Sequence, residues 1–376
     1  MIGFRVLQEA AGPARLGRLT LPHGEVSTPA FMPVATHGSV KGLTPPQVRE
    51  TGTEMILGNA YHLWLRPGCG SIAALGGLHR FMGWDGPILT DSGGYQIFSL
   101  APLARVTDDG VSFRSYLDGS THFLTPEDMI QAQEQLGSDV AMMLDDCPAG
   151  GAAAAVVEAA TERTARWAAR AVATRRRADQ AVFGIVQGGT DPALRAASAR
   201  ALVTLDFDGY AIGGLSVGEP RAETAVVAAA TASLLPRDRP RYFMGAGTPA
   251  DLVALAAAGI DLFDCVLPTR HARNGTLFTS EGTLVIRNAR HTADPRPLDP
   301  NCACLTCGRF SRAYLRHLVL AREPLAVTLN TIHNVTYYQR LMRDIRAAIA
   351  SGTLAAFAAT IGGGARENEE EASCPA

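Results

Sequence analysis

Three aspartates and a glutamine follow short apolar runs at four separate places in the chain. Asp91, Asp145 and Asp264 each end such a run, and Gln187 ends a fourth. Carboxylates can act as nucleophiles or as general acids and bases, and an amide can both donate and accept hydrogen bonds. If the fold brings these ends together, the sequence predicts a pocket for carboxylate chemistry. For any single aspartate, capping of the following helix is an equally open interpretation.

Three of the seven cysteines, Cys302, Cys304 and Cys307, lie within six residues. The C-x-C-x2-C spacing lets thiolates on one turn share a tetrahedral metal ion. The other cysteines are too scattered to form a disulfide framework. The sequence therefore predicts a metal site, with unligated reduced cysteines as the alternative.

A tetrahedral site needs a fourth ligand, and we expect it to be His333. Asn330 and Thr331 can cap a helix, which would place His333 in the first turn of that helix. His291 and His317 are the competing candidates. A set of three cysteines and one histidine leaves no position for water, so the predicted ion is one structural Zn2+.

The elements that must position these residues follow a regular pattern. Short apolar runs alternate with helical segments, and several helices open at proline after Thr125, Asp191 and Thr248. This alternation predicts an α/β fold of the (β/α)8 TIM-barrel type, whose strand ends converge on one catalytic face. The predicted strands are residues 29–34, 54–58, 87–90, 139–144, 181–186, 209–212, 241–244 and 260–263.

Additions to the barrel are also predicted. Residues 4–21 and 105–123 have the pattern of antiparallel hairpins, the first at the N-terminus, and 152–177 is the longest helical candidate. The expected division is a barrel with added hairpins over 1–278, a zinc-binding subdomain inserted before the last helix over 279–335, a closing barrel helix over 336–362 and a disordered acidic tail over 363–376.

Composition limits the possible classes of protein. With 47% hydrophobic residues, a net charge of −2 and no long apolar stretch or signal segment, the chain is expected to be a cytoplasmic globular enzyme without membrane contact. The single lysine, Lys41, precedes Gly42, so no phosphate-binding loop is present. Residues 287–322 contain seven arginines against two aspartates, and this local excess of positive charge could bind nucleic acid or simply be a solvated face.

Five segments, followed by the three cysteines and His333, resemble bacterial tRNA-guanine transglycosylases (the queuine tRNA-ribosyltransferase family) in order and spacing. The resemblance covers nearly the whole chain, and it implies a (β/α)8 barrel with a zinc subdomain. Each segment alone is weak evidence, but the set is specific. The segments are LTDSGGYQ from Leu89, MLDDC from Met143, GIVQGG from Gly184, GGLSVGE from Gly213 and FDCVLPTR from Phe263.

The resemblance implies a role for each matching residue. Asp264 matches the nucleophile, Asp91 the acid/base residue and Asp145 the carboxylate that recognises the base. The position of Val217 is glycine in the eukaryotic branch, which takes the bulkier base queuine, whereas bacterial members take 7-aminomethyl-7-deazaguanine. Further base contacts are implied for Gln187, Gly214, Leu215, Tyr95 and Met244, the last two on opposite faces of the heterocycle.

The resemblance also implies the partners. Arg270 and Arg273 match arginines near the anticodon loop of tRNA, and family members pair as homodimers. The implied reaction is exchange of the wobble guanine for a 7-deazaguanine through a covalent aspartyl-ribose intermediate. A non-catalytic, tRNA-binding accessory subunit of the same family is the alternative, which the presence of both Asp91 and Asp264 disfavours.

Overall fold

The structure is a computed structural model that describes residues 2–10, 12–100 and 104–363. Beyond Gly363, the acidic tail expected at 363–376 lies outside the described residues. The strands are β1 Gly3–Glu9, β2 Arg15–Leu21, β3 Gly24–Thr28, β4 Ala30–Ala35, β5 Ile56–Asn59, β6 Ile88–Asp91, β7 Arg105–Val106, β8 Val111–Arg114, β9 Thr121–Leu124, β10 Val140–Met142, β11 Ala181–Val186, β12 Gly209–Ile212, β13 Arg241–Phe243, β14 Leu262–Cys265, β15 Thr276–Thr279 and β16 Gly282–Val285.

The helices connect these strands in the alternation that the sequence predicts. They are α1 Pro45–Glu50, α2 Ala60–Leu65, α3 Cys69–Ala74, α4 Gly77–Met82, α5 Gly94–Leu100, α6 Pro126–Leu136, α7 Ala154–Thr174, α8 Pro192–Val203, α9 Arg221–Ser233, α10 Pro249–Ala257, α11 Leu267–Asn274, α12 Leu305–Arg309, α13 Arg312–Leu320, α14 Pro324–Ala350 and α15 Leu354–Gly363, with a 3-10 turn at Ala289–His291.

Eight parallel strands close into a barrel in the order β4, β5, β6, β10, β11, β12, β13 and β14, and β14 pairs with β4 to complete it. All eight predicted runs form these strands, so the (β/α)8 prediction is confirmed. The strands contribute buried, mostly apolar side chains to the core, including Phe31, Phe183 and Phe263. This packed interior holds the strand ends at fixed positions on each face.

Three barrel helices begin as their sequences predict. Thr125 caps α6 by accepting a hydrogen bond from the N–H of Asp128, whose carboxylate accepts from Thr125 in return. Asp191 and Thr248 cap α8 and α10 with their side chains, and each cap precedes a proline. These caps satisfy amide donors that would otherwise lack partners at the helix starts.

Both predicted hairpins are present, and each belongs to a three-stranded antiparallel sheet. In the N-terminal sheet β3 extends the β1–β2 hairpin, and β7, β8 and β9 form the second sheet. The turn after β2 is tied to the barrel at the N-terminal ends of its strands. There the buried Asp139 accepts hydrogen bonds from the ring of His23 at 2.8 Å, the ring of His79 at 3.0 Å and the N–H of Ile88 at 2.8 Å.

The long helix α14 differs from the sequence-based expectation. It has 27 residues, against 21 in α7, so residues 152–177 do not contain the longest described helix. The prediction that Asn330 and Thr331 cap a new helix is wrong, because Pro324 begins α14 and both residues lie inside it. Asn330 is buried and donates to the carbonyl of Ala272 at 3.1 Å, so it makes a tertiary contact. The expected boundary between residues 335 and 336 also falls inside this helix.

The described helices include none with the length and apolar character needed to cross a membrane.

Candidate active site and metal centre

Three carboxylates meet on the face of the barrel formed by the C-terminal ends of the strands. Asp91 ends β6, Asp264 lies in β14, and Asp145 follows β10. Burial, assisted by the negative charges of Asp145 and Asp264, raises the pKa of Asp91 to about 7. The expected convergence is therefore present, and Asp91 is poised to exchange a proton near neutral pH.

Asp91 accepts hydrogen bonds from the backbone N–H groups of Ser92 and Gly93 and from one neutral side chain. Asn59, at the end of β5, donates through Nδ2 to Asp91 Oδ2 at 3.0 Å and to Gln96 Oε1 at 3.1 Å. The oxygen of the Asn59 side chain accepts from the N–H of His62 and so caps α2. Both the nitrogen and the oxygen of the Asn59 amide are thus fixed by hydrogen bonds. Asn59 holds the Asp91 carboxyl without adding a positive charge that would lower the pKa of Asp91.

Asp264 is held by two donors. The hydroxyl of Tyr242 donates to Asp264 Oδ1 at 2.6 Å, and the N–H of Gly245 donates to the same oxygen at 3.0 Å. Burial raises the pKa of Asp264, while these two hydrogen bonds lower it and favour the ionised form. Burial and the neighbouring Asp264 charge keep the pKa of Tyr242 well above its ordinary value, so its hydroxyl remains a donor. The arrangement orients Asp264 and leaves Oδ2 without a described hydrogen bond.

Asp145 and Gln187 form a pair at the ends of neighbouring strands. Gln187 Nε2 donates to Asp145 Oδ2 at 2.7 Å, and both residues are buried. Burial raises the pKa of Asp145 to about 7, opposed by this hydrogen bond and assisted by the charge of Asp146. Together they present carboxylate and amide groups suited to the donor and acceptor edge of a purine.

Two glycines in the recognised segments are required by the close packing of this pocket. A side chain at Gly94 would collide with the carboxylate of Asp145, and one at Gly214 would collide with Gln187. Gly214 also has a φ of +64°, a conformation that glycine adopts without strain. The glycines therefore allow the backbone to approach the polar side chains closely.

A cavity of about 360 Å³ opens beside these groups. Its lining includes Tyr95, Val217 and Gly245, so two of the residues implied as base contacts reach it. Tyr95 and Met244 are half-buried, and Leu215 is buried in the loop after β12. Met244 and Leu215 are not among the residues that line this cavity, although both are next to residues that do.

Arg270 and Arg273 lie on α11, which begins directly after the strand that carries Asp264. Arg273 is half-buried, and Nη1 donates to the carbonyl of Thr269 at 3.0 Å. Of the seven arginines in 287–322, Arg312 is buried and donates to the carbonyls of Pro297 and Leu298, both at 2.8 Å. Arg312 is thus a structural residue and not part of an open cationic surface.

The predicted metal ligands are brought together near the C-terminus. The ligand atoms of Cys302, Cys304, Cys307 and His333 all lie within 4.8 Å of one another, so these four residues could hold one metal ion. His333 Nδ1 is 3.2 Å from the Cys307 sulfur and 3.8 Å from the Cys304 sulfur. These separations lie on either side of the roughly 3.6 Å expected between sulfur and nitrogen ligands of a tetrahedral zinc.

His333 is the fourth member of the cluster, as expected, although it reaches the cysteines from the interior of α14. It is fully buried, and its Nε2 lies 2.7 Å from the carbonyl of Phe278, which fixes the ring with Nδ1 toward the sulfurs. Of the competitors, His291 lies 3.4 Å from Asp294 and outside the cluster. His317 is likewise not part of it.

Sequence reasoning missed one polar group of the pocket, Tyr242, and gave no role to a second, Asn59. Tyr242 lies within an apolar strand and has the pattern of a core residue. Its hydroxyl was the only signal that it could form a hydrogen bond. Asn59 stands at a strand end like the aspartates, and that position was the available signal for its role.

Comparison with known proteins agrees with the geometry. The family model described as "Queuine tRNA-ribosyltransferase" matches residues 10–363. Proteins named queuine tRNA-ribosyltransferase from Desulfosudis oleivorans and Moorella thermoacetica are 56% and 54% identical to the chain. The alignments cover 92% of this chain and 91% of the first relative, and 95% of this chain and 96% of the second. With this coverage and the three-carboxylate pocket, the chain belongs to the queuine tRNA-ribosyltransferase family.

Proposed function

We propose that this chain is a tRNA-guanine transglycosylase that exchanges the guanine at the wobble position of tRNA for 7-aminomethyl-7-deazaguanine. The observation that carries the proposal is the meeting of Asp91, Asp145 and Asp264 on one barrel face, with Asp264 oriented by Tyr242 and Gly245. This arrangement provides a nucleophile, a proton donor and a base-recognition group in a single pocket. Because tRNA is the substrate, the cytoplasm is the compartment in which the enzyme acts.

The first step replaces guanine by the enzyme. Asp264 attacks the anomeric carbon of the ribose, the bond from that carbon to N9 of guanine breaks, and Asp91 supplies a proton to the departing base. The bond electrons go to guanine, and a covalent ester joins the ribose to Asp264. The raised pKa of Asp91, about 7, supports this role because its proton is available near neutral pH.

The second step reverses the roles. The 7-deazaguanine loses its N9 proton to Asp91, attacks the anomeric carbon and displaces the Asp264 carboxylate. Two inversions return the original β configuration, as in retaining glycosidases. Asp145 accepts from the ring N–H and the amine of the base, and Gln187, Gly214 and Leu215 complete the recognition. Tyr95 and Met244 contact the two faces of the heterocycle.

The nucleotide must leave the anticodon loop to enter this pocket, which a single-stranded loop base can do at a cost of a few kcal/mol. Arg270 and Arg273 lie on α11, directly after the strand β14 that carries Asp264, and would bind the phosphates next to the exchanged nucleotide. Residues 279–335 form the zinc-binding subdomain beside the barrel, and its exposed arginines extend the cationic surface. The enzyme works as a homodimer, which light scattering of the purified protein tests.

The ion held by Cys302, Cys304, Cys307 and His333 is one Zn2+. Three thiolates and an imidazole are soft and borderline donors that suit zinc, and four protein ligands leave no site for substrate. The ion is therefore structural, joining the cysteine loop to α14.

The alternative of a non-catalytic accessory subunit is disfavoured by the same pocket. A subunit that only binds tRNA has no need of a buried acid whose pKa is raised to about 7 beside an oriented carboxylate. The direct test of the proposed function is mass spectrometry of tRNA incubated with the enzyme and 7-aminomethyl-7-deazaguanine. A wobble nucleotide with the mass of the new base is expected, and unchanged tRNA would reject the proposal.

We expect Cys304→Ser and Cys307→Ser each to lose the zinc and to lower the melting temperature. A structural ion contributes its binding free energy to folding, so a weakened site destabilises the subdomain. Elemental analysis of freshly purified protein should give one zinc per wild-type chain and less than half that amount in either variant, a threshold of roughly 0.5 per chain.

Cys69→Ser, outside the cluster, is the control and should keep its zinc. His333→Ala compared with His317→Ala tests the fourth ligand. Full zinc in His333→Ala, or zinc-free wild-type protein, would contradict the assignment.

We expect the wild type to prefer 7-aminomethyl-7-deazaguanine over queuine because Val217 narrows the cavity that it lines. A branched side chain against a bulky ring substituent costs about 1 to 3 kcal/mol, which corresponds to roughly 10- to 200-fold discrimination. Val217→Gly should therefore raise kcat/KM for queuine and leave the small aminomethyl base nearly unaffected.

Exchange kinetics with both bases provide the measurement. Val226→Gly, an exposed valine on α9, is the control. Equal use of the two bases by the wild type, or no gain with queuine in Val217→Gly, would show that Val217 is only a packing residue.

A further inference from the structure

A buried arginine lies behind the pocket, and the reaction steps above do not use it. Arg195 is in α8 and only 2% exposed. Its side chain donates to three backbone carbonyls: Nε to Gly189 at 2.7 Å, Nη1 to Val186 at 3.0 Å and Nη2 to Gly214 at 3.3 Å. No carboxylate among the described residues shares these hydrogen bonds. Burying a cation that is held by carbonyls alone has a large desolvation cost, so we expect this position of Arg195 to serve a function.

The three carbonyls belong to the two loops that carry base-recognition groups. Val186 and Gly189 stand on either side of Gln187, at the end of β11. Gly214 follows β12, the neighbouring strand of the barrel. The planar guanidinium therefore joins two adjacent strand ends from behind, in a fork geometry that no other side chain provides.

The hydrogen bond to Gly214 has a directional consequence. In a trans peptide the carbonyl and the following N–H point in opposite directions, so the N–H of Leu215 points away from Arg195. Among the described residues no group accepts a hydrogen bond from this N–H. Gly214 has a φ of +64°, one of several conformations open to glycine, and the hydrogen bond from Arg195 to its carbonyl favours this one.

We infer that Arg195 is a positioning residue for recognition of the exchanged base. It acts through the Val186, Gly189 and Gly214 carbonyls, and it fixes the Gln187 amide and the Leu215 N–H in the orientation that a guanine or 7-deazaguanine ring requires. The inference rests on the proposed function and deepens it. Arg195 does not touch the base, and it is not a catalytic residue.

The test compares Arg195→Lys and Arg195→Gln with the wild type in base exchange. A single ammonium keeps the charge but cannot reach three carbonyls in the fork arrangement, and an amide has fewer donors. The Michaelis constant for guanine should rise about 10-fold or more, the effect of losing one oriented hydrogen bond to the ligand. The KM for tRNA should stay within about 3-fold of the wild type, since the phosphate contacts are elsewhere.

Arg241→Lys is the matched control. Arg241 is also buried, 6% exposed, and it donates to the carbonyl of Leu235, but it stands at the start of β13 at the opposite end of the barrel. Its substitution should lower the melting temperature without raising the KM for guanine. This contrast separates positioning from a general loss of stability.

Several outcomes would overturn the inference. One is an unchanged KM for guanine in a folded Arg195 variant, and another is a lower kcat with both Michaelis constants unchanged, as expected from a smaller folded fraction. An equal rise of KM in Arg241→Lys would also reject it. Failure of the wild type to exchange guanine would instead reject the proposed function, so the two failures are distinguishable.

Discussion

Asp264→Asn is expected to abolish base exchange and to prevent the denaturation-resistant adduct between enzyme and tRNA. An amide is not a nucleophile at the anomeric carbon, and the loss should be roughly 10⁴-fold or more, the scale on which removal of a covalent nucleophile acts. The amide oxygen can still accept from Tyr242 and Gly245, which donate to Oδ1 in this structure. The fold and the affinity for tRNA should therefore be retained.

The measurement is denaturing electrophoresis of enzyme incubated with tRNA, together with exchange of labelled guanine. Tyr242→Phe is the companion variant, because it removes one donor to Asp264 and should weaken adduct formation without abolishing it. Near-normal turnover by Asp264→Asn would remove Asp264 as the nucleophile. A persistent adduct in that variant would assign the ester to another side chain.

Asp91→Asn is expected to slow turnover by about 100-fold or more, the contribution that general acid–base catalysis supplies. An amide cannot give guanine a proton as it leaves or take one from the incoming base. Because Asp264 is intact, the adduct should still form slowly. An unchanged exchange rate would exclude Asp91 from the mechanism.

The pH dependence of the wild type provides a second measure of Asp91. Its pKa of about 7 means that the proton is present below neutral pH and lost above it, so kcat/KM should fall as pH rises through about 7. In Asp91→Asn this alkaline decline should disappear. A wild-type profile that stays flat from pH 6 to about 9 would contradict the assignment.

The same shift predicts that stability also falls as pH rises. A carboxyl whose pKa is raised on folding stabilises the folded state below its unfolded value of 3.8, and this contribution is lost as pH rises through about 7. Above neutral pH the ionised Asp91 therefore destabilises the fold, by an amount on the order of 1 to 4 kcal/mol. The Asp91→Asn variant should melt at a higher temperature than the wild type at pH 8, and by a smaller margin at pH 5.

The barrel and the carboxylates at its strand ends could be predicted because they depend on local pattern. Each strand is a short apolar run, and the residue after it is polar, so Asp91, Asp145 and Gln187 are visible as strand ends without tertiary information. Family resemblance then supplied the roles that pattern alone could not. The three cysteines of the metal cluster were equally local, since they lie within six residues, whereas His333 reaches them from α14.

The missed features all depend on contacts between distant segments. Tyr242 differs from a core tyrosine only because its hydroxyl donates a hydrogen bond to Asp264 on the next strand. Asn330 looks like a helix cap, but its amide donates to Ala272, 58 positions away, so tertiary contact overrides the local signal. Arg195 has the sequence context of a surface helix residue, and only the closing of the barrel places it behind Gly214.

The grouping of three carboxylates in one largely buried pocket also has an evolutionary consequence. Burial raises the pKa of each, and hydrogen bonds from neutral groups offset this only in part. Neutral replacements at these positions relieve repulsion and desolvation, so a lineage released from the reaction would gain folding stability by losing them. Without the reaction, mutation would thus tend to replace these aspartates by neutral residues. The presence of all three carboxylates in this chain therefore serves the reaction at a cost in folding stability.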